Sequence, residues 1–226
     1  MKLDQSDPEY IKALQLYLAG DWTHAREAFQ ALSGKYEASA VLYLHLGDVE
    51  YSLGALDEAA ELYSKAIEIQ PDFGLAYYRT GVCLHRAGRL EQALTAFEKV
   101  VELKNQSHAM AAYFVGLINT FLGRDEAAIR GFMHLRKESP ESRIANYYLA
   151  QLKIKRNEFG EALELLQELA DQTPQFAEVH YLLGVVNYRL LKITDAIHCF
   201  RRALELDPKD ERARSRLTQL TDVQWP

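Results

Sequence analysis

The sequence predicts an all-α chain, a solenoid of antiparallel helix hairpins. Three observations carry that prediction. Small and aromatic residues recur at a spacing of 34, each unit holds two stretches of helical apolar periodicity, and a glycine or proline punctuates most of the joints.

The spacing comes first. Gly47 and Gly81 are 34 apart, as are Gly54 and Gly88, Ala59 and Ala93, and Tyr63 and Phe97. The same step backwards reaches Gly20, Ala25 and Phe29. Forwards, Gly116, Ala128 and Phe132 stand 35 beyond their counterparts. The step of 34 then resumes through Ala162 and Ala196, Leu166 and Phe200, and Pro140, Pro174 and Pro208. The one extra residue is placed in the turn near Asn105 to Ser107, because inside a helix it would rotate every following side chain by about 100° off the buried stripe. Six units follow, at about 6–39, 40–73, 74–108, 109–142, 143–176 and 177–208, read as one continuous domain.

Within the second unit, Tyr43, Leu46, Gly47 and Tyr51 make a first helix, and Gly54 closes it in the residue type that best tolerates a left-handed cap. Asp57 and Glu58 open a second helix, where acids favour the positive end of the dipole. Its apolar face is Ala59, Tyr63, Ala66 and Ile67, and Pro71 ends it. Gly47, Gly81, Gly116, Ala150 and Gly184 on first helices, and Ala25, Ala59, Ala93, Ala128, Ala162 and Ala196 on second helices, let the two helices of a hairpin approach closely. Beyond Pro208 a charged stretch with Leu217, Leu220 and Val223 reads as a capping helix over 209–222, and the Trp225-Pro226 tail as frayed.

The pattern Tyr43-x2-Leu46-Gly47, then Ala59-x3-Tyr63-x2-Ala66 and Pro71, resembles the tetratricopeptide repeat. It recurs from Tyr77 to Val100 and from His180 to Pro208, and it is weakest in the first unit, which has Ala13 for the glycine and Glu37 for the proline. The resemblance implies a right-handed superhelical α-solenoid whose first helices line a concave groove, with an extended peptide or a helix of another protein as ligand. Helical phase then gives three columns of groove-facing positions. One runs Tyr10, Leu44, Tyr78, Tyr113, Tyr147 and Tyr181; a second Leu14, Asp48, Val82, Leu117, Gln151 and Val185; a third Tyr17, Tyr51, His85, Thr120, Ile154 and Tyr188. Tyrosine suits partner contact, burying a large area with few rotors, and it equally suits packing between neighbouring hairpins. Met110, Tyr113, Phe114, Leu117 and Phe121 would form an apolar patch, with Phe114 also a candidate for the core. Arg79, Arg86, Lys155 and Arg189 fall near the groove, where they could orient an acidic or mixed-charge peptide. The lysine and asparagine clamp that some members use on chaperone tails is absent, since Tyr10, Leu14, Leu44, Asp48, Tyr78 and Val82 stand at those places.

Composition sets the outer bounds. A net charge of −6 argues against a general nucleic-acid binder. No apolar run approaches the roughly 20 residues that span a bilayer, and no secretory signal is visible behind the first methionine. Cys83 and Cys199 read as small helix residues rather than a disulfide, and a reducing cytoplasm is expected. Charge is uneven, with seven acids against Lys65 over 37–71 and eight bases against four acids over 124–156. The seven histidines form no cluster with metal-ligand spacing, and every glycine at a joint belongs to the repeat rather than to a phosphate loop. No enzyme, cofactor, metal or nucleic acid is expected. The expected role is an interaction scaffold, the alternatives being self-association through a terminal segment such as residues 1–9 and a sensor whose pitch changes on binding peptide. Ala93→Leu, at a position where two helices must meet, should destabilise the chain by about 1–3 kcal/mol through overpacking; an unchanged melting curve would count against this register.

Overall fold

The computed structural model describes residues 3–103 and 109–222. The expected insertion at Asn105 to Ser107, together with His108, Val223, Trp225 and Pro226, lies outside them. Among the described residues the chain forms thirteen α-helices and no strand. Two compact units hold them, Met1–Leu122 and Gly123–Pro226.

Unit 1 contains α1 (Pro8–Leu18), α2 (Trp22–Ser33), α3 (Ala40–Leu53), α4 (Leu56–Ile69), α5 (Gly74–Arg86), α6 (Leu90–Glu102) and α7 (Ala109–Phe121). Unit 2 contains α8 (Asp125–Glu138), α9 (Arg143–Lys155), α10 (Phe159–Gln172), α11 (Ala177–Arg189), α12 (Ile193–Leu206) and α13 (Glu211–Thr221). The pairs α1/α2, α3/α4, α5/α6, α9/α10 and α11/α12 are joined by two or three residues and pack together, so each is an antiparallel hairpin. Each hairpin also packs on the next within its unit.

Local chemistry fixes the helix ends. Side chains of Asp7, Asp21, Ser39, Ser142 and Asp210 accept from the first free backbone N–H groups of α1, α2, α3, α9 and α13. Asp7 does more, because it also accepts from Lys35 Nζ at 2.7 Å and from the buried Tyr36 hydroxyl at 2.6 Å, tying the start of the first hairpin to its end. These partners hold its carboxyl down to about 2. Gly54 caps α3 at φ +85°, as expected. At the equivalent joints of unit 2 the left-handed residues are Asn157 and Leu191, each at φ +60°.

The close approach within each hairpin is direct. A Cβ at Gly47 would lie 2.5 Å from the Tyr63 ring, one at Gly81 2.7 Å from Phe97, and one at Gly184 2.5 Å from Phe200. The alanines Ala25, Ala59, Ala93, Ala128, Ala162 and Ala196 are all fully buried, as are Phe29, Phe97, Phe132, Leu166 and Phe200. The period also surfaces as ion pairs between successive repeats: Arg89 with Asp57, Lys155 with Asp125, Arg156 with Glu126, Arg136 with Glu168, and Arg212 with Glu178. These pairs are mostly solvent-exposed, so each contributes about 0–1 kcal/mol and register comes from the packing. The helix after Pro208 caps the last hairpin, with Ala213 buried and Leu217 and Leu220 packed on the Phe200 cluster.

One residue departs from its local rule. Leu191 is left-handed, lacks the short polar side chain that lets Asn157 adopt this conformation, and is 83% exposed, so packing gives nothing back. A non-glycine residue there costs about 1–2 kcal/mol, against about 0.5–1 kcal/mol of added chain entropy for glycine. Leu191→Gly should therefore stabilise unit 2 by about 0.5–1 kcal/mol, read as a higher urea midpoint at unchanged slope; a lower midpoint would mean the leucine is held by contacts worth more than its strain.

Candidate protein-interaction surface

First helices stand side by side in each unit and present the residues that the phase argument selected. In unit 1 the neighbours are joined by ring contacts and ion pairs. Tyr10 and Tyr17 on α1 meet His45 on α3 at 6.0 and 6.3 Å between centroids. Arg79 Nε on α5 lies 3.2 Å from Asp48 Oδ1 on α3, and the Arg86 guanidinium sits over the Tyr51 ring at 5.0 Å. Tyr78 and His85 on α5 contact Phe114 on α7.

Burial divides the expected residues. Tyr10 is only 3% exposed, packing on Phe29 and His45, so it serves the core of the first hairpins and offers no surface. Asp48 is also buried, at 8%, and Leu44 beside it. Phe114 is core-packed, stacked on Phe97 at 4.6 Å and 5°. Tyr17, Tyr51, Tyr78, Val82, His85, Tyr113 and Leu117 are partly exposed, and Arg86 is open to solvent. At the margins of α7, Met110 and Phe121 are 54% and 69% exposed. The apolar patch expected there is thus two exposed ends around a half-buried middle.

Unit 2 presents Tyr147, Gln151 and Ile154 on α9 and Tyr181, Val185 and Tyr188 on α11, all at least partly exposed. Several are already engaged. Gln151 hydrogen-bonds Tyr147, whose ring also contacts Phe176, and Tyr181 lies under the Arg212 guanidinium at 4.4 Å. Lys155, expected to meet a ligand, is paired to Asp125 at 2.7 Å, and Arg189 rests over Phe159 at 5.2 Å with a hydrogen bond to Asn157. The clefts between second helices are more polar. One of about 610 Å³ in unit 1 is rimmed by Asp57, Glu61, Glu68, Lys65 and Arg89, and one of about 360 Å³ in unit 2 by the Arg136–Glu168 and Lys153–Glu161 pairs.

A buried polar centre escaped the column reading. Asp48 Oδ1 accepts from the Tyr63 hydroxyl at 2.8 Å as well as meeting Arg79. Burial and the adjacent carboxylate push the Tyr63 phenol far up. The sequence holds the signal, because equivalent positions carry Phe29, Phe97, Phe132 and Phe200, and the one phenol shares a repeat with the one carboxylate of its column. Beside it, His45 stacks on Phe29 at 5.6 Å and 13°, and its Nδ1 is buried without a hydrogen-bond partner. Burial lowers the His45 pKa, Asp48 opposes that shift and Arg79 adds to it.

Comparison with known proteins decides the family. Tetratricopeptide-repeat models match residues 47–88, 74–107 and 147–211. The chain belongs to the tetratricopeptide repeat family. It is 25% identical over 171 residues to the TPR repeat-containing protein MJ1428 of Methanocaldococcus jannaschii, covering 76% of this chain and 26% of that protein. It is 26% identical over 165 residues to anaphase-promoting complex subunit 3 of Schizosaccharomyces pombe, covering 73% and 24%. A third relative, the protein O-mannosyl-transferase TMTC3 of Mus musculus, is 25% identical over 187 residues, covering 78% and 20%. The chain therefore spans about a quarter or less of the length of these relatives. Among solved structures it shares its fold with YrrB, described as a TPR protein with an unusual peptide-binding site, at 20% identity and a TM-score of 0.74 over 84% of this chain and 98% of that one. MamA is similar at 23% identity and a TM-score of 0.67, over 75% and 92%. Tetratricopeptide repeats are a protein-interaction fold, and no helix among the described residues is long and apolar enough to cross a membrane.

His45 makes the first hairpins of this repeat protein sensitive to pH. Its folded pKa lies below the unfolded value near 6.5, so the unfolded chain takes up the proton first and stability is lost as pH falls through that range. Urea midpoints measured from pH 8 to pH 5 should fall below about pH 6.5, with a slope of up to about 1.4 kcal/mol per pH unit for one proton. His45→Phe should flatten that window; a level parent profile between pH 7 and 5 would show that the ring is hydrated when folded.

Proposed function

We propose that this chain is a non-enzymatic interaction scaffold that holds an extended peptide or a helix of another protein along its first-helix surface, in the cytoplasm. The observation that carries the reading is the half-exposed aromatic row of unit 1. Tyr17, Tyr51 and Tyr78 each keep a ring partly in solvent, and among the described residues their hydroxyls have no hydrogen-bond partner. A tyrosine needed only to join hairpins would be buried as Tyr10 is, or have its hydroxyl bonded as Tyr63 does. Rings of this kind provide contact area at low entropic cost and keep a polar handle for backbone.

Three groups that could do chemistry are not poised for it. Asp48 is bound by Tyr63 and Arg79, and burial pushes both the Cys83 and Cys199 thiols up, away from the reactive thiolate. That supports binding over catalysis.

The test compares the parent with a Tyr17→Ala, Tyr51→Ala, Tyr78→Ala variant in affinity capture, after circular dichroism shows both equally helical. A partner bound by the parent should bind the variant about tenfold or more weakly, as for loss of interface anchors. Equal retention would move the binding surface off the first helices. Loss of a dimer on deleting residues 1–9, with no partner captured, would favour exchange of a terminal segment between copies.

A further inference from the structure

The charges of unit 1 are sorted in an unexpected way. The unit has sixteen acids against ten Lys and Arg, so its surface is acidic as a whole. Yet the wall that α3, α5 and α7 form, beyond α1 with its exposed Glu9 and Lys12, carries only two acids, Asp48 and Glu50, and both are buried. The wall's two cations, Arg79 and Arg86, keep their side chains in solvent. Facing solvent, this wall is positive on an otherwise negative unit.

Both arginines also have donors to spare. Arg79 places its buried Nε 3.2 Å from Asp48 Oδ1, an ion pair without a hydrogen bond; the side chain as a whole is 41% exposed, so the exposure lies elsewhere on the side chain, and no partner of its terminal nitrogens is found among the described residues. Arg86 has the Tyr51 ring beneath it and no carboxylate partner among the described residues. That contrasts with Arg89, Arg136, Arg156 and Arg212, each of which meets an acid of a neighbouring repeat. A solvated arginine on a protein rim is common. These two differ because each is pre-positioned, one by a buried carboxylate and one by a ring, which removes part of the entropy that binding would otherwise cost.

We infer that the first-helix wall of unit 1 takes an acidic segment of a partner protein, with one side-chain carboxylate on Arg79 and a second on Arg86. The inference rests on the reading of these helices as the binding surface and specifies its ligand. Seven residues separate the two arginines, so they share one face of α5 about 10 Å apart along its axis. A peptide in the polyproline II conformation advances about 9 Å in three residues and returns its side chain to the same face, which sets the spacing of the carboxylates. Between the arginines lies the partly exposed Val82, which fits an aliphatic side chain between the two acids.

The experiment measures fluorescence anisotropy of the full chain with labelled ten-residue peptides, blocked at both ends, whose centre is Glu-Leu-Ala-Glu, Gln-Leu-Ala-Gln or Lys-Leu-Ala-Lys in a Gly/Ser frame. The acidic peptide should bind about tenfold or more tightly than the glutamine peptide, and the gap should shrink with added salt. Arg86→Gln should close most of that gap, and Arg86→Glu should make the lysine peptide the preferred one. Arg86 lies on the surface, so these variants keep the fold; Arg79→Lys, which leaves Asp48 a cation, supplies a second variant and should weaken the acidic peptide only. Equal binding of acidic and glutamine peptides overturns the acidic ligand and leaves the binding surface standing, whereas binding of none of the three overturns both.

Discussion

An aromatic ring laid on a bare helix backbone is the contact that the rest of the architecture depends on. At Gly47, Gly81 and Gly184 the ring of the second helix occupies the volume a Cβ would need, so the two helices meet closer than any side chain on the first would allow. That approach fixes the hairpin, buries the neighbouring alanine completely, and sets which residues of the first helix turn away from the core. The solvent-facing row is therefore a consequence of packing inside the hairpin. Its residues can change without disturbing the contact that positions them, which is how one scaffold carries many partners.

The second repeat shows what happens when that contact is made by a phenol. Tyr63 fills the ring position but brings a hydroxyl into the core, and a buried hydroxyl needs an acceptor. Asp48 provides it, and a buried carboxylate in turn needs a counter-charge, which Arg79 brings from the next repeat. One polar atom in the core thus recruits a chain of partners ending at the surface. The arginine is held by an interior requirement, and its exposed end is available for another purpose.

Most of the fold is legible in the sequence because the period constrains many residues at once. The cap at Gly54, the helix start at Asp57 and Glu58, and the stop at Pro71 are each local, and each reads correctly from residue type. The solvent-facing set is legible only in part. Helical phase assigns a direction to a side chain but not its depth, which depends on the helix packed beside it. Tyr10 and Tyr78 share a column, yet the first is covered by Phe29 and His45 while the second remains half-open. Pairings such as Lys155 with Asp125 are likewise invisible to phase, since they span about thirty residues and depend on how far one hairpin is offset from the next.

That depth also decides what each half of the chain can offer a ligand. In unit 2 Lys155 and Arg156 are matched by acids and Arg189 by a ring of neighbouring repeats, and Arg212 of the capping helix lies over Tyr181. A ligand there would have to displace interactions already made. In unit 1 the acids of the wall are buried and its arginines are not, so a carboxylate can approach without breaking an ion pair. Desolvation opposes any charged contact, and it is smallest where the receiving group is already half-covered and oriented, as Arg86 is over Tyr51. The same argument holds for the tyrosines: in unit 2 Tyr147 contacts Phe176 and Tyr181 lies under Arg212, whereas the hydroxyls of Tyr17, Tyr51 and Tyr78 reach solvent with no protein partner among the described residues.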